Sequence, residues 1–327
     1  MRLLLTIFLL ITVALIPLSA NASESGKRAH DPVVPGNAEL ISTIDELAAK
    51  FDPKVCADCH EQIYEEWTHS GHGHAFSTER VLQTWRTFIK QGLEKEDHLS
   101  KMDIKSHCLW CHAPSIKYAT DGLVSEIIDL IIQGVDNPEE SKREAAKKEL
   151  TKLNLNCYGC HNMFSLKDGY WGHKGEEGAI YGPNGDKDPK EPTHEVQTNL
   201  GLMNKTIKSD HITSVNMCAT CHHGCPDSVP FWQCKTLYTS YVENYALKGG
   251  KERCQDCHMK RENNDPENPR GHSFPGVHDK DFFGGAMEMV IEAEPTQFIN
   301  NYKNELTPTL CLNVKMTSHS GHGLPNG

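Results

Sequence analysis

Five short runs in this 327-residue chain pair two cysteines with a histidine directly after them. They are Cys56-x-x-Cys59-His60, Cys108-x-x-Cys111-His112, Cys157-x-x-Cys160-His161, Cys218-x-x-Cys221-His222 and Cys254-x-x-Cys257-His258. C-x-x-C-H is the attachment signature of c-type haem. Two thiols at this spacing add across the two vinyl groups of one porphyrin, and the short loop presents the next imidazole to the iron from one face. With 13 Cys and 19 His in the chain, about 0.03 matches are expected by chance. Five leave no room for accident. Zinc also takes Cys and His, but a histidine fixed behind every pair, in a chain with an export signal, favours five covalent haems.

Each iron then needs a sixth ligand or an open position, and that choice separates a wire from a catalyst. Fourteen histidines remain beyond the five in the motifs. Those in suggestive contexts are His69, His72 and His74 in one Gly-rich run, His107 just before a motif, and His194 after Pro192-Thr193. His272, His278, His319 and His322 lie towards the end. Met259 follows the fifth motif and reads as packing.

The elements that position these groups read as helices. Val81, Leu82, Trp85, Phe88 and Ile89 recur at helical spacing within 77–92, with Ser77 or Thr78 as cap, and 123–135 reads as an amphipathic helix. Asn137-Pro138-Glu139-Glu140 reads as a helix start, with Asn137 as cap and Pro138 in the first position. A helix over 235–248 stops at Gly249-Gly250. No segment alternates convincingly as a strand except a partial pattern over 310–316. The expected fold is therefore mainly α with extensive loops, a haem-cored multihaem cytochrome c with little or no β-sheet.

Composition supports a cofactor-filled interior. Hydrophobic residues are 38% of the chain, and the fraction falls further once the N-terminal apolar run and ten haem-bound cysteines are set aside. Residues 1–22, with basic Arg2, an apolar stretch and Ala20-Asn21-Ala22, read as a signal peptide. Residues 23–40 read as a disordered leader and 41–327 as one pentahaem domain, with a subdivision near the Gly/Pro-rich 165–195. The formal charge of −11 argues against nucleic acid and for redox partner proteins with a basic docking face. No anchor is expected after signal cleavage, so the compartment is periplasmic or extracellular.

Cys225 and Cys234 bracket a short segment and suit a disulfide, two separate thiols being the alternative; Cys311 is left over. Trp67, Trp85, Trp110, Tyr158, Trp171 and Trp232 read as packing against porphyrin or helix surfaces.

The wording between the motifs carries a likeness. Ile63-Tyr64-Glu65-Glu66-Trp67 followed by Ser70-x-His72 resembles the first-haem region of the multihaem cytochrome c superfamily that includes hydroxylamine oxidoreductase and ammonifying nitrite reductase. Cys254 to Met259 followed by His272 to His278 resembles a later haem region of that group, and Gly321 to Gly327 is similar to its G-H-x-x-P-x-G stretch. The resemblance implies exported electron transfer and mostly bis-histidine iron. It suggests His72, His194, His272, His278 and His322 as distal ligands, without saying which haem each serves. All five motifs end in His, so the C-x-x-C-K haem of nitrite reductase is missing.

These readings favour a non-catalytic electron carrier. Two alternatives stay open: a small oxidoreductase of nitrogen compounds or oxyanions with one open haem, and a subunit of a membrane redox complex or an extracellular haem filament. The end of the chain reads as cut short or as a tail completed by a neighbouring chain, since the pattern over 310–316 has no obvious partner strand. A natural short tail that docks through His322 is the other reading.

Overall fold

The computed structural model describes residues 40–94, 104, 109–163, 178–188, 190–199, 201–223 and 237–324. The signal peptide, nearly all of the leader, Cys108, His107, Trp171, Trp232 and the Cys225–Cys234 pair lie outside the described residues.

α1 (Ile44–Lys50) starts on Thr43, whose hydroxyl accepts the Glu46 N–H, and buries Ile44 and Leu47. α2 (Lys54–Ala57) carries the first motif and α3 (Glu61–Thr68) follows it directly. α4 (Glu79–Glu94) buries Leu82, Trp85 and Ile89. α5 (Trp110–His112) is a single turn that holds the second motif's histidine. α6 (Asp121–Asp136) is capped by Thr120 and buries an unbroken stripe from Leu123 to Ile131. It packs between α4 and α7 (Glu140–Leu150). Arg86 and Lys90 of α4 pin its end through Asp136, at 2.6 and 3.1 Å.

Asn137 does not start α7. Its N–H closes α6 on the Gln133 carbonyl, and its side chain accepts the Glu139 N–H at 3.0 Å. Pro138 explains this, because a residue before proline is pushed out of helical conformation, and Asn137 sits at φ −63°, ψ 129°.

The buried apolar cluster runs from Ile44 to Tyr158 with Met203 added. The later helices bury far less. They are α8 (Val215–His222), α9 (Leu237–Asn244), α10 (Cys254–His258) and α11 (Lys280–Ala286). Buried side chains are thus concentrated in the first half of the described residues.

The expectation of little or no β-sheet is overturned: among the described residues about 48% are helical and 20% strand. Parallel β1 (Ala179–Gly182) and β4 (Lys205–Lys208) form one pair, and antiparallel β2 (Val196–Thr198) and β3 (Gly201–Met203) another. Strands of three or four residues are too short to show a period of two. The third pair is a long antiparallel hairpin of β5 (Met287–Asn300) and β6 (Glu305–Ser318). Its β6 contains the partial alternation at 310–316, and the partner strand lies within the chain. Alternation in β5 is blurred because Val290 and Phe298 fall among the polar positions.

Candidate haem-binding sites

Four of the five motif histidines face a second histidine from a distant part of the chain. His60 faces His194 with ring centroids 6.0 Å apart, and His161 faces His272 at 6.3 Å. His222 faces His72 at 6.4 Å, and His258 faces His322 at 6.2 Å. An imidazole nitrogen bonds a metal such as zinc at about 2.0 Å and sits roughly 1.1 Å from its ring centre. Two imidazoles on opposite sides of one iron therefore hold centroids about 6.2 Å apart. The separations match that requirement.

The outer nitrogens of these rings are tied back. Nδ1 of His112, His161 and His258 lies 2.8, 2.8 and 2.7 Å from the carbonyls of Ala75, Tyr181 and Pro275. Nδ1 of His272 and His322 meets the Arg270 and Gly323 carbonyls at 2.8 and 3.0 Å, and that of His194 meets Thr206 Oγ1 at 2.8 Å. A carbonyl only accepts, so Nδ1 carries the proton and Nε2 keeps its lone pair for a metal. This is the donor set that haem iron takes. His69 and His74 are tied back in the same way, to the Glu65 and Ser70 carbonyls, but neither faces a motif histidine among the described ring contacts. His319 is exposed and lies 3.6 Å from Glu288.

The second motif differs from the others. Trp85 packs edge-on against His112 with centroids 4.5 Å apart, and among the described ring contacts no imidazole faces His112. His278 is exposed and faces none of the five motif histidines in those contacts.

Burial keeps the rings neutral. His72 is pushed down to about 3, chiefly by desolvation and then by His222 and other imidazoles around it. His222 and His272 fall to about 4, again first through burial. Neutral imidazole is the form that ligates a metal.

Two carboxylates position histidines that face motif histidines, and neither belongs to a motif. Glu66 accepts the backbone N–H of His272 at 2.6 Å. Asp186 accepts the N–H groups of Thr193 and Thr206, both at 2.6 Å, and so fixes the segment that ends in His194. Those bonds lower the Asp186 carboxyl to about 2. Glu66 stood inside a quoted phrase without a role, whereas Asp186 had no signal beyond its loop.

The cysteines show how the motifs lie together. Cys56 is beside Cys157, Cys111 beside Cys221, and Cys218 beside Cys254. Cys160 lies within electrostatic reach of Cys218 and Cys221. The first motif thus adjoins the third, the third adjoins the fourth, and the fourth touches both second and fifth. Burial first, and then His112, His258 and His322, hold the His222 ring down.

Residues 55–136 match the family described as Cytochrome c554 and c-prime. That stretch spans the first two motifs. The fold is similar to the crystal structure of a penta-heme cytochrome c552 from Thermochromatium tepidum, with a TM-score of 0.53 at 15% identity. The similarity covers 86% of this chain and 68% of that one. No curated protein matches the chain. The family match covers a quarter of the chain, and the structural likeness is one of fold.

Proposed function

We propose that the chain is an exported five-haem c-type cytochrome that relays electrons. The observation that carries this reading is the set of four facing imidazole pairs at 6.0–6.4 Å, each joining a C-x-x-C-H histidine to one from a distant segment. Haem c supplies one-electron redox chemistry when bound. The chain's own residues do the rest. Cys56, Cys59, Cys108, Cys111, Cys157, Cys160, Cys218, Cys221, Cys254 and Cys257 hold five porphyrins. His60, His112, His161, His222 and His258 would each hold one iron, and His194, His272, His72 and His322 would supply a second imidazole to the first, third, fourth and fifth haems. Backbone carbonyls and Thr206 fix ring orientation, and burial excludes water and protons.

Adjacent motif cysteines support close porphyrins in the order first, third, fourth, with second and fifth both reached from the fourth. The signal-like N-terminus supports export, and among the described residues no helix is long and apolar enough to cross a membrane. Net acidity supports a partner with a basic docking face.

A second reading rests on His112, against which Trp85 packs and, among the described residues, no imidazole does. There the haem would have one protein ligand and an open position for a small molecule, which fits an oxidoreductase of nitrogen compounds or oxyanions.

Intact mass and EPR of the purified ferric protein test both readings. Five added haems with four bis-histidine low-spin signals and one high-spin signal are expected. Fewer than five haems, or mostly high-spin iron, would reject the relay as drawn.

A further inference from the structure

The β5–β6 hairpin has two unlike faces. Pairing puts Met289 opposite Met316, Ile291 opposite Val314 and Ile299 opposite Leu306, all on one side. Ala293, Pro295, Pro308, Leu310 and Leu312 extend that side, so from Met289 to the tip it is apolar but for Gln297. The other side carries Glu288, Glu292, Glu294 and Lys315, with Val290 and Phe298 as its two large apolar residues. Such a face belongs in a core. Here it is in solvent: every residue of 288–299 and 305–316 is exposed, with Met289, Ile299, Leu306 and Met316 at 57–63%.

At about 3.4 Å per residue, fourteen residues make a ribbon roughly 45 Å long. It is joined to the rest at its root, where His319 donates its N–H to the Ala286 carbonyl at 2.8 Å. A lone two-stranded hairpin of this kind is marginal in water, and an exposed apolar patch of this size marks an interaction surface. Eight large side chains exposing on the order of 100 Å² each, with the alanine and prolines between them, offer about 1,000 Å². A standard stable interface takes roughly 800 Å² from each partner.

We propose that this face is covered by the same face of a second copy, the two hairpins stacking about a two-fold axis. A self-complementary patch is what a two-fold dimer requires, and two apolar sheet faces pack about 10 Å apart as in a β-sandwich. The glutamates point away from the contact, so two acidic copies can approach. A lipid occupant is disfavoured on two grounds. Both ribbon edges leave backbone N–H and C=O groups that hydrocarbon cannot satisfy, and a chain of net charge −11 is repelled by an anionic bilayer. The proposal does not depend on the electron relay.

Sedimentation of the haem-loaded protein tests it over a dilution series. The mass of a dimer is expected, and Ile291→Glu with Leu312→Glu should halve it. Thr296→Glu with Thr309→Glu, on the opposite face, should leave the dimer intact. All variants should keep the wild-type haem spectrum, since the hairpin contains no motif, and that spectrum excludes misfolding as the cause. A monomeric wild type, or a dimer that survives the apolar-face pair, would overturn the proposal. So would flotation of monomeric wild type with phosphatidylcholine vesicles, which assigns the face to lipid.

Discussion

The Glu66 carboxylate accepts the backbone N–H of His272 at 2.6 Å, joining residues 206 positions apart in the chain. Glu66 lies on α3, directly behind the first motif, and His272 faces the third motif's His161. One carboxylate therefore links the first centre to the ligand geometry of its neighbour. Glu66→Ala removes an acceptor from a half-buried donor, and hydrogen bonds to charged groups contribute about 1.5–3 kcal/mol. Loss of stability near the lower end of that range is expected, with a shifted EPR signal from one haem. Glu66→Gln keeps an acceptor oxygen and should restore most of both. Equal effects from Ala and Gln would show that Glu66 acts through charge alone.

Acid sensitivity should centre on Asp256, within the fifth motif. Its carboxylate takes hydrogen bonds from the Arg253 guanidinium at 3.0 and 3.1 Å, from the Arg253 N–H at 2.8 Å, and from Arg270 at 2.6 Å. Arg253 first, and Arg270 after it, hold the carboxyl well below the usual range. A depressed carboxylate stabilises the fold above its unfolded pKa of about 3.9, and that contribution is lost as pH falls below it. Asp256→Asn should lose about 1–2 kcal/mol at neutral pH, after allowance for partial exposure. Its urea midpoint should then vary less than wild type between about pH 4 and pH 2. Parallel pH profiles for the two proteins would contradict this.

Parts of this arrangement were legible in the sequence for definite physical reasons. The five motifs are local, so their chemistry could be read without the fold. α6 announced itself through the apolar stripe that it buries, and Gly249 through the left-handed turn it makes at φ +93°. Which histidine faces which motif was not legible, because His72 meets His222 and His194 meets His60 only after distant segments come together. His278 matched a phrase as well as His272 did, yet it sits exposed and faces none of the described motif rings. The long hairpin escaped because Val290 and Phe298 interrupt the polar positions of β5. The polar 165–195 stretch hid β1, where Tyr181 offers His161 a carbonyl.

His72 should be the most consequential distal histidine. It faces His222 of the fourth motif, which lies against the second and fifth. His72→Ala is expected to turn one low-spin haem high-spin while the other centres keep their signals. Stopped-flow reduction should also become biphasic, with the first and third haems separated in rate from the second and fifth. His69→Ala and His74→Ala should do neither, because among the described ring contacts neither ring faces a motif histidine. Uniform slowing of every phase would show that the fourth centre is not the junction.

The second motif gives the most direct test of whether this protein does more than carry electrons. His112 is half-buried and its Nδ1 is held by the Ala75 carbonyl at 2.8 Å, so its orientation is fixed as firmly as that of His161 and His258. What differs is the neighbour, Trp85 from α4, whose indole cannot ligate iron. Carbon monoxide added to the fully reduced protein should therefore bind rapidly to a single haem, and the other four should respond slowly or not at all. His278→Ala should leave that stoichiometry unchanged. Trp85→Ala opens space beside His112, at a cost of roughly 3–5 kcal/mol for a large buried aromatic, and should alter the binding rate at the same haem. Slow binding of carbon monoxide at every haem would mean that the second iron also has two protein ligands, and it would leave the protein as a carrier.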